Sequence, residues 1–276
     1  MDNALNASKN RWQVSNRLLA LMASNKYARR FGVYLLFLIG RISSNMGIDP
    51  ILERRLDILG VDATFAFHLL RMDLSSIVEV FLNHVYDRFC TLTPGATVVD
   101  CGAYIGEFTV YAAEKVGESG LVLAFEPNPQ SFSLCKRNID RNRMGNVKVF
   151  EVALGQNEGA AFLHVNRANL GASSITNSQI EKPDEEVAVR TLDQFFPILT
   201  ERDIELLKID AEGFGLRILL GARSLLEKKK IRNVSAEVHP GEEEHIQKLL
   251  EQFGFACIRK GSYLYGSIES NPICKA

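Results

Sequence analysis

The chain has 276 residues, 46% hydrophobic and 24% charged, enough apolar sequence for a buried core and too much for wholesale disorder. Thirty-two Lys and Arg stand against 33 Asp and Glu, and the net charge of -1 argues against a dedicated nucleic-acid binder. Five cysteines, odd in number and without C-x-x-C spacing, fit neither a zinc site nor a disulfide framework; with polar first residues in place of a secretory leader, a cytoplasmic protein is expected.

In chain order, the head is basic: residues 1–48 hold seven Lys or Arg against one acid, a face that suits contact with an anionic membrane surface or, more simply, with solvent. Its longest apolar run, residues 33–39, is shorter than the ~20 residues a bilayer crossing takes and reads as a buried helix turn. Residues 1–94 show helical spacing, as in Ile77, Val80 and Phe81, and are expected to form a helical N-terminal extension. Thr93-Pro94-Gly95 marks a turn into a second unit, residues 95–276. There, strands predicted at 97–100, 121–126, 147–152, 206–210 and 234–238 alternate with helices at 106–116, 129–142, 216–228 and 241–253. The strands are continuously apolar, which predicts a doubly wound, mostly parallel α/β sheet covered on both faces. Runs at 256–259 and 263–268 predict a terminal hairpin with one antiparallel strand. The polar connection 166–183 is long enough to be functional.

The chemistry is concentrated at predicted strand ends. Val98-Val99-Asp100-Cys101-Gly102-Ala103-Tyr104-Ile105-Gly106 is an apolar strand that ends in an acid and turns through two glycines into a helix. Such a turn lets a ligand approach the backbone and a helix N-terminus. Tyr104 interrupts the G-x-G-x-x-G pattern of a pyrophosphate site, and Asp100 would repel a pyrophosphate; a cationic nucleoside such as S-adenosylmethionine suits the turn better. Glu126, followed by Pro127, ends the next strand 20 residues after Gly106, where a doubly wound fold places an acid on ribose hydroxyls. Asp210 and Glu212 end the strand at 206–210, so they fall near the reactive end of such a ligand. Glu237 and His239, two apart at the end of the next strand, are read as sharing a face. Asp210 or His239 is the candidate base, and a divalent cation on Asp210, Glu237 and His239 is the second reading.

These segments, in this order, resemble the FkbM-type methyltransferase family over about residues 75–255, through VVDCGAYIGEFTVYAAE, AFEPNPQSFSLCKRNIDRN, VFEVALG, RTLDQFF, LLKIDAEGFG and SAEVHP. The resemblance implies a class I methyltransferase fold, S-adenosylmethionine as cofactor, and methylation of a hydroxyl on a sugar, glycan, polyketide or similar small acceptor. It implies that Asp100, Gly102, Ala103, Tyr104 and Gly106 form the cofactor turn. Glu126 and Pro127 would then sit at the ribose, Ala153 and Leu154 at the adenine, and Asp210 and Glu212 near the methyl group. Ser173 and Ser174 match a serine pair in the family's polar loop and, with Glu237, are expected to face the acceptor. The family pattern often has Asn at Tyr104 and Glu at Gly215. A nucleic-acid acceptor is disfavoured because the Asn/Asp-Pro-Pro-aromatic motif of base amino methylation is missing. The competing class is a binding module that kept the nucleoside site without turnover.

Overall fold

The computed structural model describes residues 51–58, 61–68, 73–166, 174–176, 185–199 and 202–268. The basic head and the apolar run at 33–39 lie outside these residues. The centre is a seven-stranded sheet of order β12-β13-β11-β10-β3-β4-β5. Strands β3 (Thr97–Cys101), β4 (Leu121–Phe125), β5 (Val147–Phe150), β10 (Ile204–Ile209) and β11 (Ile231–Glu237) run parallel. Strand β13 (Tyr263–Ser267) is antiparallel to both β11 and the edge strand β12 (Ala256–Lys260), as the tail pattern predicts.

Strand β3 is buried at every position, which is why its sequence does not alternate. Apolar clusters lie on both faces of the sheet, one containing Val98, Ile105, Phe108 and Ala124, the other Val99, Leu123, Leu207 and Ile218. Helices α2 (Glu107–Val116), α3 (Pro129–Arg141) and α7 (Glu243–Gln252) fall where periodicity places them. Helix α3 begins cleanly because Asn128 caps it, accepting the Gln130 N–H at 2.9 Å, and Pro129 fills the first helical position. The helix predicted over 216–228 is instead two short ones, α5 (Gly215–Leu220) and α6 (Arg223–Glu227). They part at Gly221, where a Cβ would sit 2.0 Å from the Gly155 carbonyl oxygen.

Between β5 and β10 the chain forms a second sheet of order β6-β9-β7-β8, from β6 (Ala153–Leu154), β7 (Gly159–His164), β8 (Ser174–Thr176) and β9 (Glu185–Arg190). A 3-10 turn (Leu192–Phe195) and α4 (Phe196–Leu199) lead from it back to the main sheet. Neither this sheet nor the start of the described chain follows expectation. Residues 51–68, expected to be helical, form an antiparallel hairpin of β1 (Ile51–Ile58) and β2 (Val61–His68). In β2 the residues Ala63, Phe65 and Phe67 alternate into the main core, a period-two signal in VDATFAFH. The free edge of β2 is closed by side chains of α3. Asn138 Oδ1 accepts the Ala66 N–H at 2.6 Å and its Nδ2 donates to the Ala66 carbonyl at 3.1 Å. Asn142, one helical turn on, does the same for Thr64 at 2.7 and 2.8 Å. Helix α1 (Asp73–Phe81) then packs Ile77, Val80 and Phe81 into the core shared with β3 and α2.

No helix among the described residues is long and apolar enough to cross a membrane. The order of the main sheet reverses between β3 and β10, and in open α/β sheets ligands bind beyond the carboxyl ends of strands at that point.

Candidate functional site

At the reversal a buried ion pair locks the two strands together. Asp100 on β3 and Lys208 on β10 are direct cross-strand neighbours. Lys208 Nζ lies 2.9 Å from Asp100 Oδ1, and both side chains are almost wholly buried, 4% and 0% exposed. Thr109 on α2 donates to the other Asp100 oxygen at 2.6 Å. Lys208 also donates to the Gly102 carbonyl at 2.5 Å and sits over the Tyr86 ring, 5.0 Å from its centroid. Burial works against the ammonium, but Asp100 and then Asp210 outweigh it and hold Lys208 above its ordinary range. Asp100 is thereby spent inside the fold. The expectation that its charge meets a cationic ligand is corrected, because Lys208 already neutralises it and it does not line the cavity above.

That cavity, about 260 Å³, opens over the carboxyl ends of β3, β4 and β10. Gly102 lines it with φ +79, and a Cβ there would lie 1.7 Å from the Asp210 carbonyl oxygen, so the turn is open only to glycine. Tyr104 follows at φ 51, in the left-handed region, fixed at both ends. Its N–H donates to Glu126 Oε2 at 2.8 Å and its hydroxyl to the buried Asp73, which also accepts the His68 N–H at 2.7 Å. Asp73 thus ties the hairpin and α1 to the glycine turn. Glu126, at the end of β4, accepts the Asn128 N–H at 2.8 Å with its other oxygen. Burial pushes Glu126 up to about 7 against the pull of those two amides. Each carboxylate oxygen keeps a second lone-pair site for a ligand hydroxyl.

Pro127, Ala153 and Leu154 also line the cavity, the last two from β6. At the other end are Asp210, Glu212 and Glu237. Tyr86 donates to Asp210 Oδ2 at 2.5 Å. Burial first, then the Asp210 charge, raises Glu212, and the same two causes push Glu237 up to about 9. Of the expected residues, Ala103 and Gly106 do not reach the cavity. Gly106 instead admits α3, since a Cβ would meet Cys135 Sγ at 2.9 Å. His239 and Glu237 both lie near Glu212, but only Glu237 lines the cavity. Strand β11 ends at Glu237, the turn follows at Pro240, and His239 Nε2 lies 3.6 Å from Glu212 Oε2, outside the cavity lining. Asp210, Glu237 and His239 are therefore not gathered as a ligand set, and among the described residues no group of three His, Cys, Asp or Glu is placed to hold a metal ion. Ser173 lies outside the described residues, and Ser174 opens β8 opposite His164.

Sequence reasoning missed Ser75, Ser76 and Glu79 of α1, Tyr86, Glu107 and Tyr263, all of which line the cavity. Burial first, then the Asp210 charge, raises Glu79. Burial pushes Glu107 up to about 8 despite Lys208 nearby. Among the described residues, the lining carries six carboxyl groups (Glu79, Glu107, Glu126, Asp210, Glu212 and Glu237) and no Lys, Arg or His.

A seven-stranded sheet of order β12-β13-β11-β10-β3-β4-β5, parallel except at β13, with an acidic cleft at its switch point, defines the S-adenosylmethionine-dependent methyltransferase class. The profile of the methyltransferase FkbM domain matches residues 100–257, more than half of the chain, and the protein belongs to the FkbM methyltransferase family. Among curated relatives, Methyltransferase 1 of Beauveria bassiana is 29% identical over 203 residues, covering 64% of this chain and 79% of that protein. The AMB antimetabolite synthetase AmbE of Pseudomonas aeruginosa is 27% identical over 238 residues, covering 70% of this chain but 11% of the synthetase. Among solved structures, methyltransferase FkbM from Methylobacillus flagellatus KT aligns with a TM-score of 0.45 at 18% identity, covering 70% of this chain and 53% of that one. The cavity fits the cofactor the family uses. An acid-lined cleft complements an ammonium and a sulfonium, and one of its lining residues, Glu107, keeps a buried carboxylate oxygen, Oε2, without a hydrogen-bond partner.

The crowding of acids predicts how the ligand-free protein responds to pH. Glu126, Glu107 and Glu237 stay protonated in the fold up to about 7, 8 and 9, whereas in the unfolded chain they ionise near 4.5. The native state therefore binds more protons across that window, and its stability falls as pH rises from about 4.5 to about 9. Thermal melts of the ligand-free protein should show a lower Tm at pH 9 than at pH 6, with a flatter profile in Glu237→Gln; a Tm that climbs over this range would contradict these assignments.

Proposed function

We propose that the protein transfers a methyl group from S-adenosylmethionine to a hydroxyl oxygen of a small or glycan acceptor, such as a sugar or polyketide. The observation that carries this reading is the placement of Asp210 in the cavity, at the end of β10, with Glu126 at the end of β4 across the glycine turn. The cofactor, when bound, supplies an electrophilic methyl group on a sulfonium. In this reading Glu126 accepts the ribose hydroxyls, Ala153 and Leu154 flank the adenine, and Gly102, Tyr104 and Pro127 shape the floor. Asp100, Ala103 and Gly106 hold the turn from behind. Asp210 takes the proton of the acceptor hydroxyl, since an alcohol is a poor nucleophile until a base engages its proton. Tyr86, donating to one Asp210 oxygen, fixes the carboxylate's orientation. Glu212 and Glu237 stand beside Asp210 and, with residues of the 166–183 connection including Ser173 and Ser174, meet the acceptor. The remaining task of the protein is alignment and exclusion of water.

The acceptor is not a nucleic acid in this reading, because among the described residues no Lys, Arg or His lines the cavity to pair with phosphates. Buried thiols such as Cys101 and Cys135 suit a reducing compartment, and we place the activity in the cytoplasm. Glu126→Ala should weaken cofactor binding by about 1–3 kcal/mol, read by calorimetry, because the ribose loses a charged partner and two buried amides lose their acceptor. An unchanged titration would remove Glu126 from the ribose. The activity itself is tested with methyl-labelled S-adenosylmethionine against hydroxylated sugars, glycans, polyketides and RNA. Label in a methyl ether is expected. Label confined to RNA would overturn the acceptor class, and tight binding without any product would favour a module that has lost turnover.

A further inference from the structure

Two groups of the glycine turn that would receive a cation are already occupied. Asp100 is paired with Lys208 and Thr109, and the Gly102 carbonyl accepts Lys208. Glu107, five residues past Gly102, is in the opposite condition. It is the first residue of α2, 7% exposed, lines the cavity, and keeps Oε2 buried without a hydrogen-bond partner. Lys208 does not complete it, because its donors go to Asp100 Oδ1 at 2.9 Å and to the Gly102 and Cys101 carbonyls at 2.5 and 3.5 Å.

We infer that Glu107 receives the primary ammonium of the cofactor's amino-acid tail, taking the part that the sequence suggested for Asp100. The inference rests on the cofactor reading above and adds a residue to it. The placement follows from the sheet. Adenine at β6 and ribose at β4 set the direction of the ligand, and the tail then crosses the end of β3, which leads through the turn to Glu107. Adjacent strands lie about 4.8 Å apart, so the step from the ribose acid to the turn is one strand spacing. An acid in the first turn of a helix also balances the helix dipole without any ligand. That role needs no carboxylate oxygen buried without a hydrogen-bond partner, and a buried oxygen left in that state is costly until a cation meets it. A Ser76 side-chain hydrogen bond favours the ionised Glu107 carboxyl, and both residues line the cavity, which makes α1 part of the cofactor's enclosure.

The test compares two probes that share the adenosine and differ in the tail: S-adenosylhomocysteine, which carries the ammonium, and 5′-methylthioadenosine, which does not. By calorimetry with the full chain, Glu107→Gln should raise the Kd for S-adenosylhomocysteine about tenfold or more, the change expected on losing a charge-assisted hydrogen bond, while 5′-methylthioadenosine binding stays unchanged. The second probe doubles as a check that the variant is folded. Glu107→Asp, which keeps the charge on a shorter arm, should fall between wild type and Glu107→Gln. Equal weakening of both probes would make Glu107 a structural residue, and no weakening of either would leave the ammonium elsewhere; each overturns the inference while the cofactor reading stands. A wild type that binds neither probe would instead remove the cofactor reading, and this inference with it.

Discussion

Asp210→Asn should slow methyl transfer by about 10²–10⁴-fold, the usual contribution of a positioned base, while cofactor affinity stays close to that of the wild type. The asymmetry follows from geometry. The asparagine side chain has the same shape, and its carbonyl can still accept the Tyr86 hydroxyl that holds Asp210 Oδ2 at 2.5 Å, so the cavity keeps its form. What is lost is the lone pair that takes the acceptor's proton. Single-turnover rates with labelled cofactor, alongside the Kd for S-adenosylhomocysteine, separate the two effects. A variant with full turnover would exclude Asp210 as the base. His239→Ala is the informative companion. His239 touches Glu212 and lies outside the cavity lining, so its removal should preserve most of the rate.

The second large effect is on stability. Lys208→Ala should cost about 3–5 kcal/mol, because it strands the Asp100 carboxylate with no counter-charge where both side chains are nearly inaccessible to water. That is a large share of the stability of a typical domain, and poor soluble yield is part of the expected outcome. The paired change Asp100→Asn with Lys208→Met removes both charges and should recover most of the loss. Urea denaturation of the three proteins measures it. If Lys208→Ala unfolds at the wild-type midpoint, the ion pair is not what joins β3 to β10.

The legible parts of this protein are those whose signal is local. Strands β4 (LVLAF) and β10 (IELLKI) are mostly apolar, β3 (TVVDC) and β11 (IRNVSAE) carry apolar residues among polar ones, and each ends at or one residue before an acid or glycine at its tip. The alternation in VDATFAFH is a local signal for β2, but its outer edge is satisfied by Asn138 on α3 and Asn142 at its C-terminal cap, more than 70 residues away. The second sheet is built from strands of two to six residues, too short for a period to register. At the site, Asp210 and Glu126 were visible as strand-end acids. The occupation of Asp100 was not, because its partner Lys208 is brought opposite by the register of β3 against β10. Glu79 and Tyr86 were hidden for a similar reason: they enter the cavity from a segment read as an extension, and only tertiary packing carries them there. His239, two residues past the end of β11, contacts Glu212 and stays outside the cavity lining, a placement set by tertiary packing that spacing along the chain does not reveal.

The account depends on where the cofactor lies across the reversal between β3 and β10. A crystal structure of the protein with S-adenosylhomocysteine bound decides this directly. The adenine should rest against Ala153 and Leu154, the ribose hydroxyls on Glu126, and the sulfur on the Asp210 side of the cavity. A ligand found elsewhere on the molecule, or lying in this cavity with its adenine at Asp210 and its tail at Leu154, would contradict the account.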